Sequence, residues 1–224
     1  MESMTYPHWE ALTPSTLQAF HLIARFPFIT EFYLAGGTGL ALHLGHRFSL
    51  DLDLFSPDET AVNPVHRDNL RMLLDDPSLT ITYDKNGTFV ATRQGVGVSF
   101  FRLPLYPLVQ APILLEGVPL ATAPEIGAMK LAAIIDRGTR KDMVDLYYLL
   151  QAVPLETVFE VAAIKYARVR SFGVSAIRAM AYFSDAEAAP MPQMRDKTPW
   201  SKMKKFLEHL AMEAGRKNLS DLWR

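Results

Sequence analysis

The 224 residues are 49% apolar and 21% charged, carry a net charge of −1 and include no cysteine. That is the composition of a folded globular chain, and it excludes a disulfide framework, a thiolate metal site and a thiol nucleophile. No apolar run reaches the ~18 residues of a membrane span, and the N-terminal MESMTYPHWE lacks the basic-then-apolar layout of a secretion signal. The expectation is a cytoplasmic protein with no membrane partner.

The charge is unevenly spread. Residues 1–121 carry 7 Lys/Arg against 12 Asp/Glu, residues 122–164 carry 4 against 6, and residues 165–224 carry 12 against 6. A basic rear segment suits anionic ligands, although solvated faces of surface helices produce the same imbalance.

Thr13-Pro14 followed by STLQAFHLIARF predicts a helix capped by Thr13, with Pro14 in its first turn. EFYLAGG predicts a short strand ending in glycines, TGLALHLGH a short helix, and the strictly alternating FSLDLDLF a strand. A helix from Pro64 to near Asp75 follows. LTITYD, TFVATR and VGVSFFRL predict strands, with Lys85-Asn86-Gly87 as a hairpin turn, and VPLATA predicts one more. From Pro124 onward the pattern turns helical: PEIGAMKLAAIIDR, RKDMVDLYYLLQ, LETVFEVAAIKYARVR, SAIRAMAYFSDAEAA and, after the proline-rich APMPQMRDKTP, WSKMKKFLEHLAMEAG. Strands first and helices afterwards predict an α+β chain: a mixed sheet with flanking helices over residues 1–122, then a helical domain over 123–224.

The stretch LAGGTGLALHLGHRFSLDLDLF holds the chemistry. Two residues apart in a strand, Asp51 and Asp53 project from one face while Leu50, Leu52 and Leu54 fill the other. Carboxylates that close repel, and a divalent cation removes the conflict. Mg²⁺ is held by one or two carboxylates together with substrate phosphates and waters. Gly36-Gly37-Thr38 falls where strand gives way to helix. There, backbone amides and the positive helix end approach a phosphate, and Thr38 is placed to cap the helix and to bond a phosphate oxygen. Plainer readings exist: a GG turn is common, and a D-x-D pair can be a polar strand face. The run from Gly37 to Leu42 fails the dinucleotide fingerprint, because leucine stands where the third glycine belongs.

Further along, the helix around Lys130 is apolar at Ile126, Met129, Ala133 and Ile134, which sets Lys130 beside the buried stripe. It is either a point charge for phosphate or a lysine snorkelling from a helix flank. Asp142 and Asp145 share a helix face, and Asp142 could equally pair with Arg140 or Lys141. Arg137 and Lys141, at i,i+4 spacing, make a basic face. His43 and His46 lack a neighbouring carboxylate, so no histidine metal site is expected. Phe100, Phe101, Tyr147 and Tyr148 read as core or interface, with a nucleobase-stacking role the alternative for one of the tyrosines.

These residues carry a resemblance. A GGT turn, a helix, and then Arg47, Ser49, Asp51 and Asp53 in an R-x-S-x-D-x-D arrangement resemble the AbiEii/AbiGii toxin family, nucleotidyltransferase-like proteins of the polymerase β superfamily. EIGAMKLAAIIDRGTRKDMVDLYYLL resembles that family's lysine helix followed by R-x-x-x-K-D-x-x-D-L-Y, at Lys130, Arg137, Lys141, Asp142 and Asp145. The two blocks cover residues 32–150. The resemblance implies a nucleotidyltransferase-like fold in which Gly36, Gly37 and Thr38 cradle a nucleoside triphosphate, with Arg47 and Ser49 in the same nucleotide-binding group. It implies Mg²⁺ (or Mn²⁺) on Asp51 and Asp53, Lys130 on the phosphates, and Asp145 or Asp142 as the downstream functional carboxylate contributed by the helical domain. The implied reaction moves a nucleoside monophosphate to an acceptor such as RNA or tRNA. The implied role is the toxin of a toxin–antitoxin or phage-defence pair, with a cognate antitoxin as partner. A small-molecule or protein acceptor, and a catalytically inactive nucleotide- or partner-binding module, are the alternatives. One departure bears on the last of these: VGVSFFRL, the natural strand for a third catalytic carboxylate, holds Ser99 and no acid, so the general base stays unassigned.

Overall fold

Thr13 opens the first helix, α1 (Pro14–Ile23), with its side chain accepting the Thr16 amide at 3.2 Å and Pro14 following directly. The computed structural model describes residues 6–223; the beginning of the stretch read for a secretion signal lies outside the described residues. Two compact units divide the chain, one ending at Thr122 and the other beginning at Ala123. Among the described residues no helix is long and apolar enough to cross a membrane.

The first unit is a seven-stranded mixed sheet with helices. Its elements after α1 are β1 (Tyr33–Leu34), α2 (Gly36–Leu44), β2 (Leu52–Ser56), α3 (Pro64–Leu73), β3 (Thr80–Lys85), β4 (Thr88–Arg93), β5 (Val96–Arg102), β6 (Ile113–Leu115) and β7 (Val118–Leu120). The strand order is β3-β4-β5-β2-β1-β7-β6. β2 runs parallel to β5 and β1 parallel to β7, while the remaining neighbours are antiparallel. The β3–β4 hairpin turns on Asn86 (φ 55°) and Gly87 (φ 74°), the left-handed pair that matches strand twist. A core of Phe20, Ile23, Phe26, Phe28, Phe32 and Phe100 packs under β2 and β5. Rings of Phe32 and Phe100 meet edge to face at 5.0 Å, a geometry aromatic pairs favour.

Two expectations need correcting here. The strand read from FSLDLDLF begins only at Leu52. Ser49 donates its amide to the Ala11 carbonyl at 3.1 Å and bridges to Leu12, so the N-terminal segment claims these residues before the sheet does. Leu52 and Leu54 are fully buried as expected, but Leu50 is 51% exposed. The strand β6 went unread. Its signal is the Glu116-Gly117 pair between two apolar triplets, obscured by the prolines upstream.

The second unit is helical: α4 (Ala123–Asp136), α5 (Arg140–Ala152), α6 (Leu155–Lys165), α7 (Phe172–Met180), α8 (Ser184–Ala188) and α9 (Trp200–Arg216). α4 packs against α5, α6 and α7. Gly138 (φ 51°) ends the turn after α4 with its amide on the Ala133 carbonyl at 3.2 Å, a left-handed helix stop. Arg137 and Lys141 therefore sit on either side of a break and do not share a helix face. α6 stops at Lys165, five residues earlier than its sequence suggests. The segment read as one helix from Ser175 splits into α7 and α8 around Tyr182, where no glycine or proline announces a stop.

Candidate active site

In the first unit the end of β1 is tied to β2 by the Ala35 amide, which donates to the Asp53 carbonyl at 3.0 Å. α2 starts immediately afterwards. Its N-cap is Ala35, with no side-chain cap, so Thr38 does not cap the helix as its sequence suggested. The first amide to close back is that of Gly39, onto the Ala35 carbonyl at 2.9 Å. The amides of Gly36, Gly37 and Thr38 belong to the first turn, which has no intrahelical acceptors. Combined with the helix dipole, such an end attracts anions.

The two glycines are needed because site side chains lie directly over them. A methyl on Gly36 would stand 2.7 Å from Asp53 Oδ2, and Gly36 has φ +63°, where a side chain is disfavoured. A methyl on Gly37 would stand 2.2 Å from Arg47 Nη2 and 3.3 Å from Ser49 Oγ. Arg47 is buried and donates from Nη1 to the Phe48 carbonyl at 3.0 Å. The carboxylate and the guanidinium thus face successive residues of the helix start.

Asp51, just before β2, is exposed, and Asp53, inside β2, is half-buried. Asp51 Oδ1 lies 2.6 Å from where a methyl on Gly97 would sit, so this carboxylate rests over the start of β5. Asp53 is the register partner of Ser99 in the parallel β2–β5 pair. Beside Asp53, then, stands the buried Ser99, on the strand where the sequence reading looked for a third acid.

The Thr38 hydroxyl is buried and bonds both the Ser49 hydroxyl, at 2.8 Å, and the Asp51 carbonyl. A hydroxyl has one proton; with Thr38 donating to the carbonyl, Ser49 donates to Thr38. This brace fixes the backbone from which the Asp51 carboxylate hangs. Sequence reasoning missed it, though the interval of one residue between Ser49 and Asp51 is its trace. His43 is held apart from this group by a 2.8 Å bond from its Nε2 to the Ala121 carbonyl, and burial lowers its pKa. Among the described residues no group of three or more His, Asp or Glu gathers as a metal cage.

In the second unit Lys130 belongs to the buried stripe of α4 rather than lying beside it: it is 5% exposed, and Met129 and Ala133, assigned to the stripe by sequence, are half-buried. Its ammonium reaches Asp145 Oδ2 at 2.6 Å and Asp142 Oδ1 at 3.1 Å on α5. Asp142 also accepts from Arg137 Nε at 2.9 Å, Arg137 Nη2 at 3.1 Å and the Thr139 hydroxyl at 2.6 Å. Its sequence-suggested partners Arg140 and Lys141 are not among these; Arg140 turns instead to Glu187 and the Ala186 carbonyl. Burial alone would raise the Asp142 pKa. The Arg137 hydrogen bonds, the Lys130 charge and the Thr139 hydroxyl outweigh it and leave the group at about 2.

The aromatic residues are structural. Phe100 is in the core, Phe101 stacks on Phe55 at 5.1 Å, and Tyr147 packs with Met203 and Phe206. Burial, followed by the bond to Asp196, raises the Tyr148 hydroxyl to about 12.

Comparison with known proteins bears on the fold and the family. The chain is 33% identical over 134 residues to the uncharacterized protein aq_aa25 of Aquifex aeolicus; that match takes in 58% of this chain and 63%, under two thirds, of the relative's length. Among solved structures, the nucleotidyltransferase toxin MenT4 of Mycobacterium tuberculosis superposes with a TM-score of 0.57 at 16% identity, over 93% of this chain and 92% of that one. JHP933 of Helicobacter pylori superposes with a TM-score of 0.56 at 17% identity, over 92% and 94%. The antibiotic-resistance factor ANT(2'')-Ia gives 0.51 at 17% identity, over 69% and 92%. These likenesses establish a nucleotidyltransferase fold. Residues 20–220 match the family model described as nucleotidyl transferase AbiEii toxin of a type IV toxin–antitoxin system, and the chain belongs to that family.

Proposed function

We propose that this chain is a divalent-metal-dependent nucleotidyltransferase that moves a nucleoside monophosphate from a nucleoside triphosphate to a hydroxyl of RNA or tRNA. One observation carries the proposal: a D-x-D carboxylate packed against the glycine start of a helix whose first-turn amides lack intrahelical acceptors. The two halves of such a site neutralise phosphate by different means, one through metal and the other through amides. The residues fit Mg²⁺. Both donors are carboxylate oxygens, Asp51 is open to solvent, and Mg²⁺ completes its shell with waters and substrate phosphates rather than a protein cage. When bound, the ion supplies charge neutralisation for the triphosphate and for the charge that develops during transfer.

The acceptor hydroxyl attacks the α-phosphorus in line and gives up its proton to solvent, the bond to the bridging oxygen breaks, and pyrophosphate leaves with that bond's electron pair. Gly36, Gly37 and Thr38 offer the backbone cradle, while Arg47 and Ser49 hold its shape. Lys130, whose ammonium is held by Asp145 and Asp142, is the residue that the family resemblance assigns to the phosphates. Asp142, at a pKa of about 2, is too weak a base near neutral pH to take the acceptor proton; it positions Lys130. The family assignment supports a toxin role with a cognate antitoxin, and the basic stretch 165–224 suits an RNA backbone.

Incubation with each labelled nucleoside triphosphate, Mg²⁺ and total RNA should transfer label to RNA. Asp53→Asn should lower this by at least ~10²-fold, on the scale of removing an electrostatic catalytic group, without changing the melting temperature by more than a few degrees. Absence of transfer with all four nucleotides sinks the proposal. Ser99 beside Asp53 supports a second reading, a nucleotide-binding module without turnover. Calorimetric binding of Mg²⁺–nucleotide without label transfer, with growth unaffected on expression, would select it.

A further inference from the structure

Away from the carboxylate pair, the first unit has a cavity of about 490 Å³ between α3 and the β3–β4 turn. Arg67, Arg71, Arg102, Asn63, Asn86 and Gly87 line it. Its volume lies in the ~300–1,000 Å³ range of small-ligand sites, and its lining contains three guanidinium groups and no aromatic ring.

The charges do not cancel. Asp84 binds both Arg67 and Arg71 with its two oxygens. Asp68, whose side chain is 77% exposed, adds a 3.3 Å contact to Arg71. Arg102 has no carboxylate partner among the described residues; its Nη1 donates to the Glu59 carbonyl at 3.0 Å. Its Nε lies over Gly87, 2.5 Å from where a methyl would stand. Three cations thus face two anions, and one anion is largely hydrated. The cavity wall is also rigidly set. Val62 holds φ 54°, a strained value for a β-branched residue. It is clamped by its amide on His66 Nδ1 at 3.1 Å and its carbonyl on Arg67 Nε at 2.9 Å.

We propose that this cavity is a second phosphate-anion site, distinct from the D-x-D centre. Guanidinium forks match phosphate oxygens, and a lining without aromatic rings selects the phosphate and sugar of a ligand over its base. The site cannot share one phosphate with the carboxylate pair. Asp53 pairs with Ser99 and Ser56 with Arg102 in the β2–β5 ladder, a spacing of three residues or ~10 Å along the strand. Strand alternation also sends Arg102 to the face opposite Asp53. This inference does not depend on the transferase reading.

The test titrates the full chain, in EDTA to silence metal-dependent binding, with two probes: inorganic pyrophosphate and a five-nucleotide single-stranded RNA. The wild type should bind at least one probe with unit stoichiometry. Arg102→Gln should weaken binding by about tenfold or more, the size of a lost charge-assisted pair. Asn86→Asp adds a negative charge at a turn residue whose backbone Asp tolerates; it should weaken binding similarly while leaving the melting temperature in place. Binding of pyrophosphate identifies a free phosphate ligand, and binding of the oligonucleotide alone identifies an RNA backbone. No binding of either probe, or binding unaffected by both cavity variants, overturns the proposal.

Discussion

Gly36 and Gly37 do different jobs, although they are neighbours. Gly36 needs its left-handed backbone, whereas Gly37 needs the space that Arg47 fills. Gly37→Ala should therefore fold, because Ala suits a helix and the clash is with the far end of a side chain, but it should displace the guanidinium. The expected outcome is a denaturation midpoint within ~1 kcal/mol of wild type and label transfer reduced about tenfold or more; equal activity would show that Arg47 has no part in the site. Both glycines and both aspartates were legible in the sequence because each is a residue type out of keeping with its surroundings. The Thr38 brace was not, since a threonine in a helix carries no mark of what its hydroxyl bonds. Leu50 misled for the opposite reason: its pattern fits a strand, and a distant carbonyl, that of Ala11, decided otherwise.

Among the elements, α4 and α5 are joined by charge as well as by packing. Against the opposing effect of burial, the Arg137 and Lys130 cations and the Thr139 hydroxyl hold Asp142 below the ordinary carboxylate range, at about 2. A depressed carboxylate stabilises the fold above its unfolded pKa, and that contribution fades as pH drops through the folded value. The window is therefore pH 4 down to 2, and the amount is about 2 kcal/mol. Urea midpoints measured at pH 5, 3 and 2 should show this loss in the wild type and a flatter profile in Asp142→Asn. A second internal pair, Lys165 Nζ to Glu125 Oε1 at 2.7 Å with both side chains fully buried, joins α6 to α4. Glu125→Gln should cost about 3–5 kcal/mol, because it removes the negative charge that faces a buried ammonium, whereas replacing both partners by apolar residues should cost far less; denaturant midpoints distinguish the two. Helix positions here were readable from periodicity. The burial of Lys130, Lys165 and Glu125 was not, because charged residues are scored as solvent-facing and each is satisfied by a partner from another helix.

Across the whole molecule charge is uneven, with an acidic first unit and a basic C-terminal stretch. Lys202 and Lys205 on α9 are exposed and, unlike Lys204 with its 2.6 Å bond to Glu187, take part in no ion pair among the described residues. Changing both to Gln should weaken RNA binding and reduce its salt slope by about 1–2, leaving Mg²⁺–nucleotide affinity unchanged; a filter-binding salt series measures this. The order of strands and helices was enough to read an α+β chain. Which strands are neighbours was not, because pairing of β1 with β7 joins residues far apart in the sequence.

That last pairing sets an order of events during synthesis. Leu34, which leads into the glycine turn, takes Leu120 as its parallel neighbour, and its carbonyl receives the Ala121 amide at 2.9 Å. Local hairpins such as β3–β4 can zip as they emerge, but a contact of this range must wait for loop closure. A ribosome therefore has to deliver the chain beyond Ala121 before the glycine turn after β1 can settle against its neighbours, so a truncated or stalled product would be born without that pairing.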